Sequence, residues 1–217
     1  MMFETLLNNL AINLHKFFKN TRIMAKNLRS PNSFFFGFIA KRLMLVGNQK
    51  VIEDSVQRLN IKKEDKILEI GSGNGQALIE IIKKNPKQIK VIEISPIFRN
   101  RLKKKFGNKI ELFENDAKNL KGIINNNSMD KILLINVIYF LSPLDLYLNE
   151  FKRILNKDGT IFIAGKFEAV KTFNNDVFQN KQISDLLKIL KKFFKVSYEF
   201  VDLGDLNSRY YAIYLKK

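Results

Sequence analysis

Two hydrophobic patterns divide the chain. Up to about residue 60, apolar residues recur at the three- and four-residue spacing of amphipathic helices, as in Leu6, Leu10 and Leu14. From Lys66 onward, short and nearly continuous apolar runs alternate with amphipathic stretches. A run such as Ile132–Ile135 predicts a strand with helices over both faces, which is typical of a parallel α/β sheet. The sequence therefore predicts a helical N-terminal segment followed by an α/β domain.

The apolar runs after residue 65 predict seven strands. The short, turn-rich joint Gly204–Ser208 indicates that the last two strands form an antiparallel hairpin. Amphipathic spacing predicts helices over Gln76–Lys84, Ile97–Phe106 and Leu144–Leu155, and a later one with Ile183, Leu186, Leu187, Leu190 and Phe193 on one face. The predicted strands are Lys66–Ile70, Lys90–Ile94, Lys109–Glu114, Met129–Asn136, Thr160–Phe167, Lys195–Leu203 and Tyr210–Leu215.

Charge and composition narrow the possible chemistry. The net charge is +17, but the lysines are spread over many predicted helices, so a biased background composition explains them better than a nucleic-acid site does. Cysteine is absent and His15 is the single histidine, which excludes disulfides, thiolate catalysis and histidine-rich metal sites. Because we find no signal peptide and no apolar run long enough to span a bilayer, the sequence predicts a soluble, cytoplasmic protein without a metal.

The most informative stretch is Ile67–Gln76, where a buried strand leads into alternating glycines and then a helix. Glycines at these positions allow positive φ and the close approach of a ligand, and the helix N-terminus presents free N–H groups to it. A dinucleotide fingerprint requires a small residue where Gln76 stands, and a P-loop requires Lys followed by Ser or Thr where Gln76 and Ala77 stand. Both of those cofactor classes are therefore excluded.

The segment Glu69–Gly75 matches the E/D-x-G-x-G-x-G first motif of class I S-adenosylmethionine-dependent methyltransferases, and further motifs resemble that family in order. Glu93 ends the second predicted strand where the family keeps an acid for the ribose hydroxyls. Asp116 and Ala117 follow the third, where an acid and the next backbone N–H meet the adenine. The resemblance implies S-adenosyl-L-methionine as the cofactor, bound by Glu69, Gly71, Ser72, Gly73, Gly75, Glu93, Ile94, Asp116, Ala117 and Asn136.

The resemblance covers about residues 48–217 and also implies the architecture. Met129–Leu141 and Phe151–Gly165 resemble the fourth strand and the entry to the fifth, with Asp158 where the family usually has glycine. The expected fold is a seven-stranded doubly wound sheet of order 3-2-1-4-5-7-6, mostly parallel with a reversed last strand. Residues 1–47 are then an N-terminal helical extension, or lid, and residues 48–217 are the cofactor-binding domain.

Catalytic residues are less clear than the cofactor site. Transfer from a sulfonium mainly requires alignment and the exclusion of water, so a base is needed only for a protonated acceptor. Asn136 and Tyr139 follow the fourth strand, where the methyl group should lie; orientation of the acceptor and simple packing are both open for Asn136, and packing is favoured for Tyr139. Phe34–Phe36 and Phe38 could line an acceptor pocket, although packing of the helices explains most of them.

Several functions are compatible with such a site. The leading hypothesis is methyl transfer to a small-molecule or lipid-like acceptor. The first alternative is an RNA or protein methyltransferase that uses the basic surface, and the second is a non-catalytic cofactor-binding or membrane-associated protein on the same fold. Residues 3–28 resemble a basic amphipathic helix, which predicts possible peripheral contact with an anionic bilayer. The acceptor, the acceptor atom and the oligomeric state do not follow from the sequence.

Overall fold

Four helices precede the sheet in this computed structural model, which describes residues 2–31 and 34–217. They are α1 (Met2–Phe18), α2 (Arg22–Arg29), α3 (Phe34–Gly47) and α4 (Gln49–Arg58). Thr21 is the N-cap of α2, and its hydroxyl accepts a hydrogen bond from the Met24 N–H at 3.3 Å. Helices α1 and α2 both pack on α3, and we call these three helices the cap.

Seven strands form one sheet in the order β3-β2-β1-β4-β5-β7-β6, as predicted. The first five are parallel neighbours, and β7 runs antiparallel to both β5 and β6. The predicted terminal hairpin and reversed last strand are thus confirmed. The strands are β1 (Lys66–Ile70), β2 (Gln88–Ile92), β3 (Glu111–Phe113), β4 (Met129–Ile135), β5 (Leu155–Gly165), β6 (Lys195–Asp202) and β7 (Arg209–Lys216).

Helices cover both faces of this sheet. Side chains alternate along each strand, so on β4 Ile132 and Leu134 enter one buried cluster while Leu133 enters the other. The cluster around Leu133 is closed by α4, α5 and α6, and the opposite cluster by α7 and α9. The remaining helices are α5 (Gln76–Lys83), α6 (Pro96–Phe106), α7 (Leu144–Ile154), α8 (Phe167–Val170) and α9 (Ile183–Leu190).

Most strand boundaries differ from the predicted ones, by one or two residues except at the start of β5, and two of the differences have a visible cause. β2 ends at Ile92 instead of Ile94, because the Glu93 carboxylate turns the backbone by accepting the Ser95 N–H at 2.8 Å. β5 begins at Leu155 instead of Thr160, since the register with β4 shifts there and lets the earlier residues pair. Within residues 2–31 and 34–217, none of the helices combines the length and hydropathy that a bilayer crossing requires.

Candidate functional site

A solvent-open cleft of about 980 Å³ lies at the carboxyl ends of β1, β2, β3 and β4. In parallel sheets this edge is where ligands bind, because loops from several strands converge there. Every residue predicted to bind the cofactor lines the cleft except Gly75. Its walls also include Leu28, Arg29, Asn48, Ile52, Asn74, Gln76, Phe98, Val137, Phe140, Leu141 and Tyr147.

The glycine loop after β1 is shaped by close packing on two sides. Gly71 has a φ of 71°, and a Cβ there would lie 2.6 Å from a methyl group of Val137, so the loop touches the segment after β4. Gly75 has a φ of 77°, and a Cβ there would lie 2.5 Å from the Phe106 ring and 2.7 Å from Leu102. Gly75 therefore lets α5 start directly against α6, which accounts for its place in the motif without ligand contact.

Glu93 links the glycine loop to the loop after β2. Its carboxylate accepts one hydrogen bond from the Gly73 N–H and one from the Ser95 N–H, both at 2.8 Å. Burial raises the pKa of Glu93, while these two N–H groups and the nearby Arg99 oppose that shift. A carboxylate has about four acceptor positions, so two backbone bonds leave Glu93 able to accept from two further hydroxyl groups.

Glu69 and its neighbours carry unsatisfied polar atoms. Burial raises the pKa of the Glu69 carboxyl to about 7, and the negative charge of Glu93 acts in the same direction. The Ser72 hydroxyl opposes this rise in pKa by hydrogen bonding to the Glu69 side chain. The Glu69 Oε2 and Asn74 Nδ2 atoms are buried and have no hydrogen-bond partner. Buried polar atoms are normally paired, so two unpaired ones on cleft-lining residues indicate a place for a polar ligand. A cationic group would favour the ionised form of Glu69.

Asp116 forms the far end of the cleft, in the loop after β3. It accepts the Lys118 N–H at 3.3 Å, and the Lys118 ammonium lies 3.9 Å from its carboxylate. Tyr147 lies beside it in the lining: burial raises the pKa of this phenol, with hydrogen bonding to Asp116 as a further cause. Asp116 is only partly buried, so one carboxylate oxygen can accept from an incoming amino group.

Asn136 stands at the opposite end, directly after β4, in the left-handed conformation with a φ of 56°. Its side-chain oxygen accepts from the Tyr139 hydroxyl at 3.2 Å and from the Lys166 N–H at 3.3 Å. Its amide donates to the Asn48 side chain at 3.2 Å, just before α4. Asn136 therefore joins the start of α4 to the loops after β4 and β5 and keeps a place in the cleft lining.

Tyr139 is separated from the cleft. The ring is 1% exposed and packs edge-on against Phe167, with ring centroids 5.2 Å apart. Burial raises the pKa of the Tyr139 phenol, which therefore stays protonated and donates its one hydrogen bond to Asn136. This placement agrees with the packing role that the sequence favoured for Tyr139.

The sequence missed the part of the lining that comes from the cap. Leu28 and Arg29, at the end of α2, lie on the cleft wall. No local motif marks them, because an amphipathic helix gives the same pattern whether its end covers a core or a ligand site. Of the aromatic residues suggested for an acceptor pocket, Phe36 packs on Phe18 with centroids 5.3 Å apart, Phe38 packs within the cap, and the Phe34 side chain lies outside the described residues.

These positions fit an extended adenosyl ligand with a charged tail. The loops of β3, β2, β1 and β4 lie side by side, so the line from Asp116 to Asn136 spans three strand spacings, or about 14 Å. Along it lie the partly exposed acid Asp116, the buried acid Glu93 with two backbone hydrogen bonds, and the buried acid Glu69 with an unpaired oxygen. Among the described residues, no group of three or more His, Asp or Glu side chains is arranged to hold a metal ion.

Comparison with known proteins finds a matching domain model and a short stretch of similarity to a curated relative. A family model described as a methyltransferase domain matches residues 68–163. A 59-residue stretch, 27% of this chain, is 44% identical to ribosomal RNA small subunit methyltransferase A of Sulfurihydrogenibium sp. (strain YO3AOP1), but it spans only 23% of that relative.

Solved structures agree in fold. A SAM-dependent methyltransferase from Aquifex aeolicus superposes with a TM-score of 0.63 at 16% identity, over 78% of this chain and 92% of that one. One from Archaeoglobus fulgidus gives 0.63 and 16%, over 85% and 100%. The chain therefore shares the fold of these S-adenosylmethionine-dependent methyltransferases, and residues 68–163 match the methyltransferase-domain model.

Proposed function

We propose that the protein transfers the methyl group to a small-molecule or lipid-like acceptor, which binds at the β4 side of the cleft beneath α2. The observation that carries this proposal is the chemistry of that side. Its lining is mainly apolar, from Leu28, Val137, Phe140 and Leu141, with the neutral amide of Asn136 at its edge and Arg29 next to Leu28. Such a wall suits a largely apolar acceptor with a small polar reacting group.

The cofactor, when bound, supplies a methyl group on a positively charged sulfur that is already an activated leaving group. The proposed task of the protein is to hold both reactants on one axis and to exclude water. Glu93 would accept from the ribose hydroxyls, Asp116 from the adenine amino group, and Glu69 would balance the positive charge of the tail. The contact between Gly71 and Val137 would hold the glycine loop against the segment after β4, where the cofactor side of the cleft meets the acceptor side.

No general base is proposed. The lining residues from the end of β4 onward, from Ile135 to Leu141, include no titratable side chain. The Asn136 oxygen already accepts two hydrogen bonds, so this residue positions the loops after β4 and β5 and does not take up a proton. We therefore expect an acceptor atom that presents its lone pair without removal of a proton by the enzyme.

Transfer of labelled methyl groups tests the acceptor class. The protein would be incubated with S-adenosylmethionine carrying a radioactive methyl group and a total cell extract, followed by separation into organic-soluble, small aqueous, RNA and protein fractions. The proposal predicts label in the first or second fraction. Label confined to RNA or protein would overturn it, and cofactor binding without label in any fraction would support the non-catalytic alternative.

One observation favours RNA as a second candidate acceptor. The curated relative that shares the 59-residue stretch is a ribosomal RNA methyltransferase, and Lys41 of the cap lies near Arg101 of α6. Burial lowers the pKa of Lys41, and the charge of Arg101 adds to the effect. If these cations bind phosphates, RNA affinity should fall steeply between 50 and 200 mM salt, by roughly tenfold or more for a few contacts. An absence of RNA binding at 50 mM salt would exclude this candidate.

A further inference from the structure

The outward face of α1 exposes three apolar side chains. Leu6, Leu10 and Phe17 are 64%, 50% and 81% exposed. At 100° per residue they fall within about 60° of the helix circumference, a sector that also holds the polar Asn13, so the described side chains form one mainly apolar stripe. The inward face carries Ala11, which is 1% exposed, with Leu14 and Phe18 packed beside it. Hydrophobic burial inside the cap therefore does not account for the stripe on the outside.

The neighbouring helix α2 presents a basic stripe. Arg22, Lys26 and Arg29 are exposed and also fall within about 60° of the helix circumference, while Met24 and Ala25 face inward and are fully buried. Ile23, next to the basic stripe, is 54% exposed. The cap thus combines exposed apolar side chains on α1 with exposed cations on α2, across the short turn at residues 19–21.

We propose that these two helices form a docking surface for an anionic lipid bilayer. Apolar side chains that enter the acyl boundary, together with cations that meet negative headgroups, are the two components of interfacial binding. A second copy of this chain fits the surface less well, because pairing of the α2 stripes would bring like charges together. Nucleic acid fits less well too, since a phosphate backbone has no apolar surface that would bury Leu6 and Leu10.

The surface adjoins the methyl-transfer site through α2. Its basic stripe ends at Arg29, which with Leu28 lines the cleft. Docking at this surface would therefore hold the acceptor side of the cleft beside the source of a lipid acceptor. The inference goes beyond the proposed function, and its test measures binding instead of turnover, so either can fail without the other.

Vesicle co-sedimentation of the full chain tests the proposal. Vesicles of phosphatidylglycerol and phosphatidylcholine would be compared with vesicles of phosphatidylcholine alone. We expect binding to the anionic vesicles and at least tenfold weaker binding to the neutral ones. The variant Arg22→Gln/Lys26→Gln should bind anionic vesicles roughly twentyfold less tightly, since each basic residue near such a surface contributes roughly fivefold. The variant Leu6→Ser/Leu10→Ser/Phe17→Ser should bind at least tenfold less tightly.

Matched controls carry the same chemical changes elsewhere. Lys103→Gln/Lys104→Gln removes two exposed cations from α6, and Leu206→Ser replaces an exposed apolar side chain before β7. Both controls should bind like the wild type. Equal losses in the controls and the cap variants would overturn the proposal, as would wild-type binding in the cap variants. Cap-dependent binding of RNA instead of vesicles, or cap-dependent self-association without lipid, would also overturn it.

Discussion

The two ends of the cleft are built differently. On the side of β1, β2 and β3, three acidic residues stand at successive strand ends, and two of them, Glu69 and Glu93, are almost fully buried. On the side of β4 and the cap, the lining is mainly apolar, with Arg29 as a cation from the cap, and the Asn136 side chain forms its hydrogen bonds with neighbouring loops. Burial of acids costs free energy, which a protein tolerates where a ligand or backbone N–H groups compensate.

Under the proposed function, the difference separates a cofactor end, where charged side chains determine binding, from an acceptor end, where the shape of an apolar wall determines it. Charged contacts at defined positions leave a motif in the sequence, whereas an apolar wall can be assembled from many residue types. The acceptor end also depends on the cap, through Leu28 and Arg29. We therefore expect substitutions at the two ends to separate cofactor affinity from acceptor use.

The largest expected effect is on the free energy of unfolding, at the glycine loop that lies between the two ends of the cleft. Gly75→Ala combines a positive φ with overlap against Phe106 and Leu102, so we expect a loss of about 4 kcal/mol in the free energy of unfolding. Gly122 is the matched control, since it has a φ of 79° and no atom within 4 Å of a Cβ. Gly122→Ala should lose only about 1 kcal/mol in urea denaturation. Equal losses in Gly75→Ala and Gly122→Ala would show that packing against α6 is not the reason for a glycine at position 75.

A smaller loss is expected where the acceptor end is joined to α4. Asn136→Ala removes the hydrogen bonds to Asn48, Tyr139 and the Lys166 N–H, so we expect a loss of about 2.5 kcal/mol in urea denaturation. Asn127, with a φ of 45°, is also left-handed but lies exposed in a loop. Asn127→Ala should cost about 1 kcal/mol. A cost at Asn136 no greater than at Asn127 would contradict its joining role.

Glu69→Gln should change stability and cofactor binding in opposite directions. Because the pKa of Glu69 rises from 4.5 to about 7 on folding, unfolding releases a proton between these values, and stability falls as pH rises through that window. Removal of the charge should therefore stabilise the apo protein by about 2 kcal/mol at pH 8 and by almost nothing at pH 4.5.

The same variant should bind S-adenosylmethionine at least tenfold less tightly at pH 8, because Gln cannot balance a positive charge. Thermal unfolding and calorimetric titration measure the two effects. A variant that is less stable at pH 8, or that binds the cofactor as the wild type does, would contradict the role assigned to Glu69.

The smallest expected effect is confined to the acceptor end. Phe140→Ala removes an apolar wall and should lower kcat/KM for the acceptor roughly tenfold, while the Kd for the cofactor stays within twofold. Phe173→Ala disturbs the same aromatic cluster, since both rings pack on Phe178, but Phe173 does not line the cleft. The kcat/KM of Phe173→Ala for the acceptor should stay near that of the wild type. A loss of cofactor affinity of the same size in Phe140→Ala would contradict the separation of the cleft into a cofactor end and an acceptor end.

Sequence patterns predicted the sheet well, and also the order in which the acids follow the strands, because both depend on local order. Strand β1 runs from Lys66 to Ile70 as predicted, and the acids follow the strands in the expected order. The ends of β2 and β5 were less predictable. There a side chain that folds back on the backbone, at Glu93, or a shift of register decides where pairing stops.

Contacts between distant parts of the chain were beyond sequence reasoning. The pairing of Asn136 with Asn48 joins residues 88 positions apart, and neither position carries a pattern that predicts the other. The same is true of Leu28 at the cleft wall. Gly75 shows a further limit, since one motif combines glycines that line the cleft with a glycine that packs against a helix.

Calorimetric titration of S-adenosylmethionine into Glu93→Ala, with Glu114→Ala as the control, tests the central claim most directly. Glu114 is an exposed acid after β3 that pairs with Arg99 at 3.1 Å. We predict a loss of about a hundredfold in affinity for Glu93→Ala and wild-type affinity for Glu114→Ala, since hydrogen bonds to a charged acceptor contribute about 1.5–3 kcal/mol. Asp116→Ala, at a partly exposed position, repeats the test without a buried change. Wild-type affinity in both Glu93→Ala and Asp116→Ala would contradict the account.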